Sequence, residues 1–162
     1  MENTALKRPT LHDPEVIAAA ARKLAPAVKQ WAENSAVTLA EIEADLREAI
    51  KLDDDGYAIA RELDGQYDPD ARLVDILDQA YAAKSDALRA LERDWVQANQ
   101  LQPIPLETKV RWKKKPAAGL GIVVGSYPEG KSTVMFPSLG HVRKGVGCHG
   151  YIANWEELTI EP

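Results

Sequence analysis

Near residue 102 the hydrophobic pattern of this chain changes period, and that change limits the available folds more than any single motif. Up to Gln100, apolar residues recur at spacings of three and four; beyond Pro105 they alternate or run in short blocks bounded by glycine. A period near 3.6 buries one face of a helix and a period of two buries one face of a strand. The joint between them, "QPIPLETKV", carries two prolines and no Gly or Ser tract, and reads as stiff. The expected fold class is therefore α+β, with an α-helical hairpin or bundle over 1–102 and a small β domain over 103–162.

Start and stop signals divide the helical half. Asp13 and Pro14 read as N-cap and first helical residue ahead of the stripe Ile17, Ala20, Leu24, Val28 and Trp31, with a kink or break expected at Pro26. Thr38 and Glu41 form a capping-box pattern in front of Ile42, Leu46, Ala49 and Ile50. A short third helix is expected to be capped by Asp54 or Asp55 and closed by Gly65. Asp68 and Pro69 then open an expected long helix over about 69–100. Its residues Val74, Leu77, Tyr81, Lys84, Leu88, Leu91, Trp95 and Ala98 form a heptad seam broken only by Lys84, which could pack within the bundle or pair with a second copy.

After Pro105, "KVRWK", "GLGIVVGSY", "STVMFP" and "NWEEL" before a last strand read as four or five short strands with glycine at the bends. Over residues 105–161 this arrangement resembles the SH3-like barrels, including the KOW and Tudor-like groups. The resemblance implies a small barrel. In KOW-type modules, basic and aromatic loop residues at one barrel end face nucleic acid or a ribonucleoprotein. The matching positions are Lys109, Arg111, Trp112, Lys113, Lys114 and Lys115, with Lys131, Arg143 and Lys144 as neighbours from other loops. By alternation Trp112 shares a face with Val110 and is expected in the core, and three consecutive lysines can also serve to block edge pairing.

Charge divides as the periodicity does. Residues 1–102 hold 12 Lys or Arg against 20 Asp or Glu, a net −8, and residues 103–162 hold 8 against 5, a net +3. Asp53, Asp54, Asp55, Asp64, Asp68, Asp70, Asp75 and Asp78 cluster in the acidic half and form the alternative partner-binding set. They do not form an EF-hand loop, since counting from Asp53 the sixth and twelfth positions are Ala58 and Asp64.

Little in the chain resembles catalytic machinery. His141, Cys148 and His149 lie close in sequence, but adjacent strand residues point to opposite faces and no fourth ligand follows, so no metal is expected. "GSYPEGKS" (125–132) fits the P-loop pattern formally but runs into a strand-like segment rather than a helix, so no nucleotide or other cofactor is expected. One cysteine excludes an internal disulfide, and with no apolar run of membrane-spanning length or signal-like start, a cytoplasmic setting without membrane contact is expected. These features point to a non-enzymatic binding protein that docks on a protein or nucleoprotein complex through a basic SH3-like barrel and an acidic helical region. The alternatives are a phage- or mobile-element-type inhibitor whose acidic helices imitate nucleic acid, and a KOW-like module binding nucleic acid directly.

Overall fold

The computed structural model describes residues 7–33, 36–141, 143–144, 147–148 and 150–162, with the side chains of 142–149 outside that description. The fold is α+β, helices preceding an antiparallel sheet, and it divides into two compact units, Lys7–Leu91 and Glu92–Pro162. Among the described residues no helix is long and apolar enough to cross a membrane.

The helical unit contains α1 (Pro14–Trp31), α2 (Leu39–Leu52), α3 (Gly56–Leu63), α4 (Ala71–Leu77) and the first part of α5 (Ala80–Ala98). Its core gathers the predicted stripes, including Ala20, Leu24 and Val28 of α1, Ile42, Leu46 and Ile50 of α2, Ile59 and Leu63 of α3, and Leu73 and Leu77 of α4. Helix α1 runs unbroken through Pro26, so of the expected kink or break the break does not occur. Pro26 lies on the exposed side, where water can replace the hydrogen bond proline denies the helix, while Leu24, Ala25 and Val28 stay buried. Asp13 stands at the N-cap, yet its carboxylate accepts from the Thr10 N–H (2.9 Å) and hydroxyl (2.7 Å) instead of from the helix. The Thr38–Glu41 capping box forms as expected.

The long helix expected over 69–100 is two helices, with Asp78 and Gln79 between them. Asp70, not Asp68, is the N-cap: its Oδ1 accepts from the Leu73 N–H at 2.9 Å and from Trp31 Nε1 at 2.8 Å, so contact with α1 selects the start of α4. At the other end of α4 the Asp78 carboxylate accepts the Gly56 N–H at 3.0 Å, capping α3 from a distance of 22 residues. A Cβ at Gly56 would lie 2.6 Å from Asp78 N and 2.7 Å from the Val74 carbonyl oxygen. Only glycine lets the start of α3 abut the end of α4 this closely, and the carboxylate turned toward it accompanies the break in the helix.

The seam changes with the break. Tyr81 is 55% exposed, whereas Ala80 and Ala83 are buried, and Lys84 is 2% exposed with its ammonium paired to Asp54 and donating to the Ile50 carbonyl at 3.2 Å. The polar residue that interrupts the heptad is thus a buried cation tying α5 to the end of α2 and the loop beyond it.

The second unit begins in the last turns of α5 and holds β1 (Lys109–Trp112), β2 (Leu120–Tyr127), β3 (Lys131–Met135), β4 (Arg143–Lys144), β5 (Gly147–Cys148), β6 (Tyr151–Asn154) and β7 (Leu158–Ile160). Five strands form one antiparallel sheet in the order β6-β3-β2-β1-β7, and β4 pairs with β5 separately. A 3-10 turn, Trp155–Glu157, links the two edge strands β6 and β7. No ladder joins those edges among the described residues, so the five strands stand as an antiparallel sheet without the pairing that would close it into a barrel. Val110, Trp112, Val123, Val134, Phe136, Ala153, Trp155 and Leu158 alternate onto its buried face, joined by Val96 and Ile104. "GSYPEGKS" is the β2–β3 hairpin, turning at Gly130 with φ 72°, and no helix follows it.

Removing one partner from the Lys84–Asp54 pair leaves a buried ammonium poorly compensated. Asp54→Ala is expected to lower the unfolding free energy by about 1–3 kcal/mol. Adding Lys84→Met should restore most of the loss, because an apolar side chain of similar length removes the unpaired charge. Urea denaturation of the two single variants and the double variant measures the coupling; additive effects would show that the pair is not coupled.

Candidate partner-binding surfaces

In the helical unit, five of the eight clustered aspartates are engaged inside the fold. Asp53 Oδ1 accepts from the N–H groups of Asp54 (2.7 Å) and Asp55 (3.0 Å), which holds its carboxyl below the usual range. Asp54 pairs with buried Lys84, and Asp55 caps α3 through the Ala58 N–H at 3.0 Å. Asp70 is likewise held below the ordinary carboxylate range, chiefly by the Leu73 N–H, and Asp78 receives Gly56. Asp64, Asp68 and Asp75 remain exposed, with no hydrogen bond or ion pair to their carboxylates among the described residues. What looks in sequence like one acidic surface is therefore mainly a set of acceptors for backbone N–H groups at the ends of short helices.

In the sheet unit the basic stretch after β1 folds back over the turn between β6 and β7. The Lys113 N–H donates to the Glu157 carbonyl at 2.9 Å, and its ammonium donates to the Glu156 carbonyl at 2.8 Å. Glu157 anchors the stretch: its carboxylate receives Trp112 Nε1 at 2.9 Å, Asn154 Nδ2 at 2.7 Å and the Lys114 ammonium at 2.6 Å. Burial pushes the Glu157 carboxyl up, but the donors from Lys114, Trp112 and Asn154 together outweigh it and leave it lowered. Lys115 reaches over the Tyr151 ring, 3.8 Å from its centroid and 5.6 Å from that of Trp112. Trp112 itself is 9% exposed and stacks on Phe136 with centroids 6.2 Å apart. It is core, as its alternation with Val110 predicts.

The other expected contact residues differ from one another. Arg111 pairs with Glu161 at 2.9 Å, and Lys131 with buried Glu92 at 2.6 Å, which ties β3 to the end of α5. Lys109 is exposed on β1. The backbone of Arg143 and Lys144 forms β4, but their side chains, that of Cys148 and all of His149 lie outside the described residues. His141 Nδ1 accepts the Phe136 N–H at 3.2 Å, and its ring lies 5.1 Å from that of Tyr151. Among the described residues no carboxylate pairs with Lys109, Lys113 or Lys115.

Tyr151 and Glu157 belong to this surface, yet no motif marks them in sequence. They stand some 40 residues from the lysines, and only the β1–β7 and β3–β6 pairings bring them near. A tyrosine in a strand and a glutamate in "NWEEL" carry no local signal of that meeting.

Compared with protein-family models, curated proteins and solved structures, the chain matches none.

The lowered carboxyls carry a pH signature. Asp53, Asp70 and Glu157 bind fewer protons folded than unfolded, so their stabilisation is present above the unfolded pKa values and is lost as pH falls through the folded ones. Urea midpoints should therefore stay high near neutrality and drop below about pH 4. Glu157→Gln is expected to weaken that acid dependence in the sheet unit; an unchanged pH profile would show that Glu157 does not carry it.

Proposed function

We propose that this chain is a non-enzymatic binding protein of the cytoplasm whose sheet unit docks on an acidic surface of a protein or nucleoprotein complex. The supporting observation is an asymmetry in how the two charged surfaces are held. Lys113 and Lys115 are positioned by a carbonyl and an aromatic face, which orient an ammonium without cancelling its charge. Most of the clustered aspartates instead meet backbone donors or a buried cation whose loss would damage the helices. Preorganised charge that is not needed for folding is what an electrostatic docking surface requires. Tyr151, 36% exposed beneath the Lys115 ammonium, belongs to the same surface.

The rival reading, an inhibitor whose acidic helices imitate nucleic acid, rests on fewer groups than the sequence suggests. Only Asp64, Asp68 and Asp75 of the eight are both exposed and uncommitted among the described residues. A phosphate-like array offered to a partner would need more of them without a role in holding the fold.

The test is affinity capture of the native chain's partner followed by binding measurements over a salt series. Lys113→Ala with Lys115→Ala is expected to weaken binding about tenfold and to flatten its dependence on ionic strength. Asp68→Asn should leave both unchanged. Unaltered affinity and salt slope in the lysine variant would refute the sheet-unit reading.

A further inference from the structure

The helical unit also carries a groove that the sheet-unit reading leaves unused. It has a volume of about 520 Å³ and lies between α3 and α4, lined by Tyr57, Ala60, Asp64, Ala71, Val74 and Asp75, with Pro69 and Asp70 at one end and Arg61 beside Asp64. Its size falls within the range of sites that accept a ligand or a few side chains. The apolar part of its lining is Ala60, Pro69, Ala71 and Val74, of which Ala60 is buried. Its rim holds two of the three clustered aspartates whose carboxylates have no hydrogen bond or ion pair among the described residues, and Tyr57 stands at the mouth with 65% of its surface exposed.

These three features favour the same chemistry. Carboxylates and the face of a tyrosine ring both attract cations, and an apolar lining favours a cation carried on a long aliphatic stem. An anionic partner would meet Asp64 and Asp75 as like charges, and a purely apolar one would cover them without compensation. Arg61 does not satisfy them from within, since no ion pair joins it to either carboxylate among the described residues. Asp70 is already held by Leu73 and Trp31, so the cation falls to Asp64 and Asp75.

We infer that the α3–α4 groove is a docking site for an arginine-bearing peptide segment of a partner protein. The arginine stem lies along Ala60, Ala71 and Val74. Its guanidinium, planar and able to fork onto a carboxylate while stacking on a ring, bridges Asp64 or Asp75 and the Tyr57 face. This site is independent of the lysine surface in the sheet unit, and the two would give one small protein a cationic and an anionic contact at different places.

Fluorescence anisotropy of the full chain with a labelled octapeptide alternating glycine and arginine tests the inference. The native chain should bind it at least about tenfold more tightly than the matching citrulline peptide, and more tightly than the lysine peptide. Asp64→Asn with Asp75→Asn should abolish most of that binding. Glu48→Gln with Glu62→Gln, which removes the same charge elsewhere on the unit, should change it less than about twofold. Tyr57→Phe should retain affinity and Tyr57→Ala should lose it. All these substitutions are at exposed positions, and unchanged thermal unfolding confirms that each variant is folded. No binding by the native chain, equal loss in both charge variants, or equal affinity for the arginine and lysine peptides would each overturn the proposal.

Discussion

Both units depend on carboxylates placed where donors would otherwise go unsatisfied. In the helical unit three short segments meet end to end, and each new helix exposes N–H groups that need acceptors. Asp55, Asp70 and Asp78 supply them, the last reaching across to Gly56 because nothing larger than hydrogen fits between α3 and α4. In the sheet unit Glu157 performs the same task for an indole, an amide and an ammonium at once. Each such cap is worth about 0.5–2 kcal/mol, a large share of the stability of a small domain.

That constraint separates two kinds of charge that net counts treat alike. An aspartate accepting from a backbone N–H is part of the fold, and offering it to a partner would cost the helix its cap. A lysine resting on a carbonyl or a ring keeps its charge available, because neither contact neutralises it. The acidic half therefore commits much of its negative charge to holding the fold, although those carboxylates stay ionised and mostly exposed, while the basic stretch after β1 retains more usable charge than its many contacts suggest.

The helix stripes, the Thr38–Glu41 box, the change of class near residue 102 and the burial of Trp112 are all legible in the sequence, because each depends on local spacing. The misplaced features depend on contacts between distant residues. Asp70 replaces Asp68 as a cap because Trp31 meets it, and the long helix breaks where Asp78 turns to Gly56. Pro26 is tolerated because it happens to face water. Lys84 interrupts a heptad in sequence and becomes intelligible only once Asp54 and Ile50 stand beside it. At the surfaces, the lysines could be picked out by composition, but Tyr151, Glu157 and Tyr57 could not, since sheet pairing and helix packing decide what stands next to them.

The division between structural and available charge is tested most directly by equilibrium urea unfolding of two double variants at neutral pH. Asp55→Ala with Asp70→Ala, which removes two helix caps, should lower the urea midpoint markedly, while Lys113→Ala with Lys115→Ala should leave it close to that of the native chain. Lysine variants as destabilised as the aspartate variants would contradict the account, because the basic stretch would then belong to the fold and not to a partner.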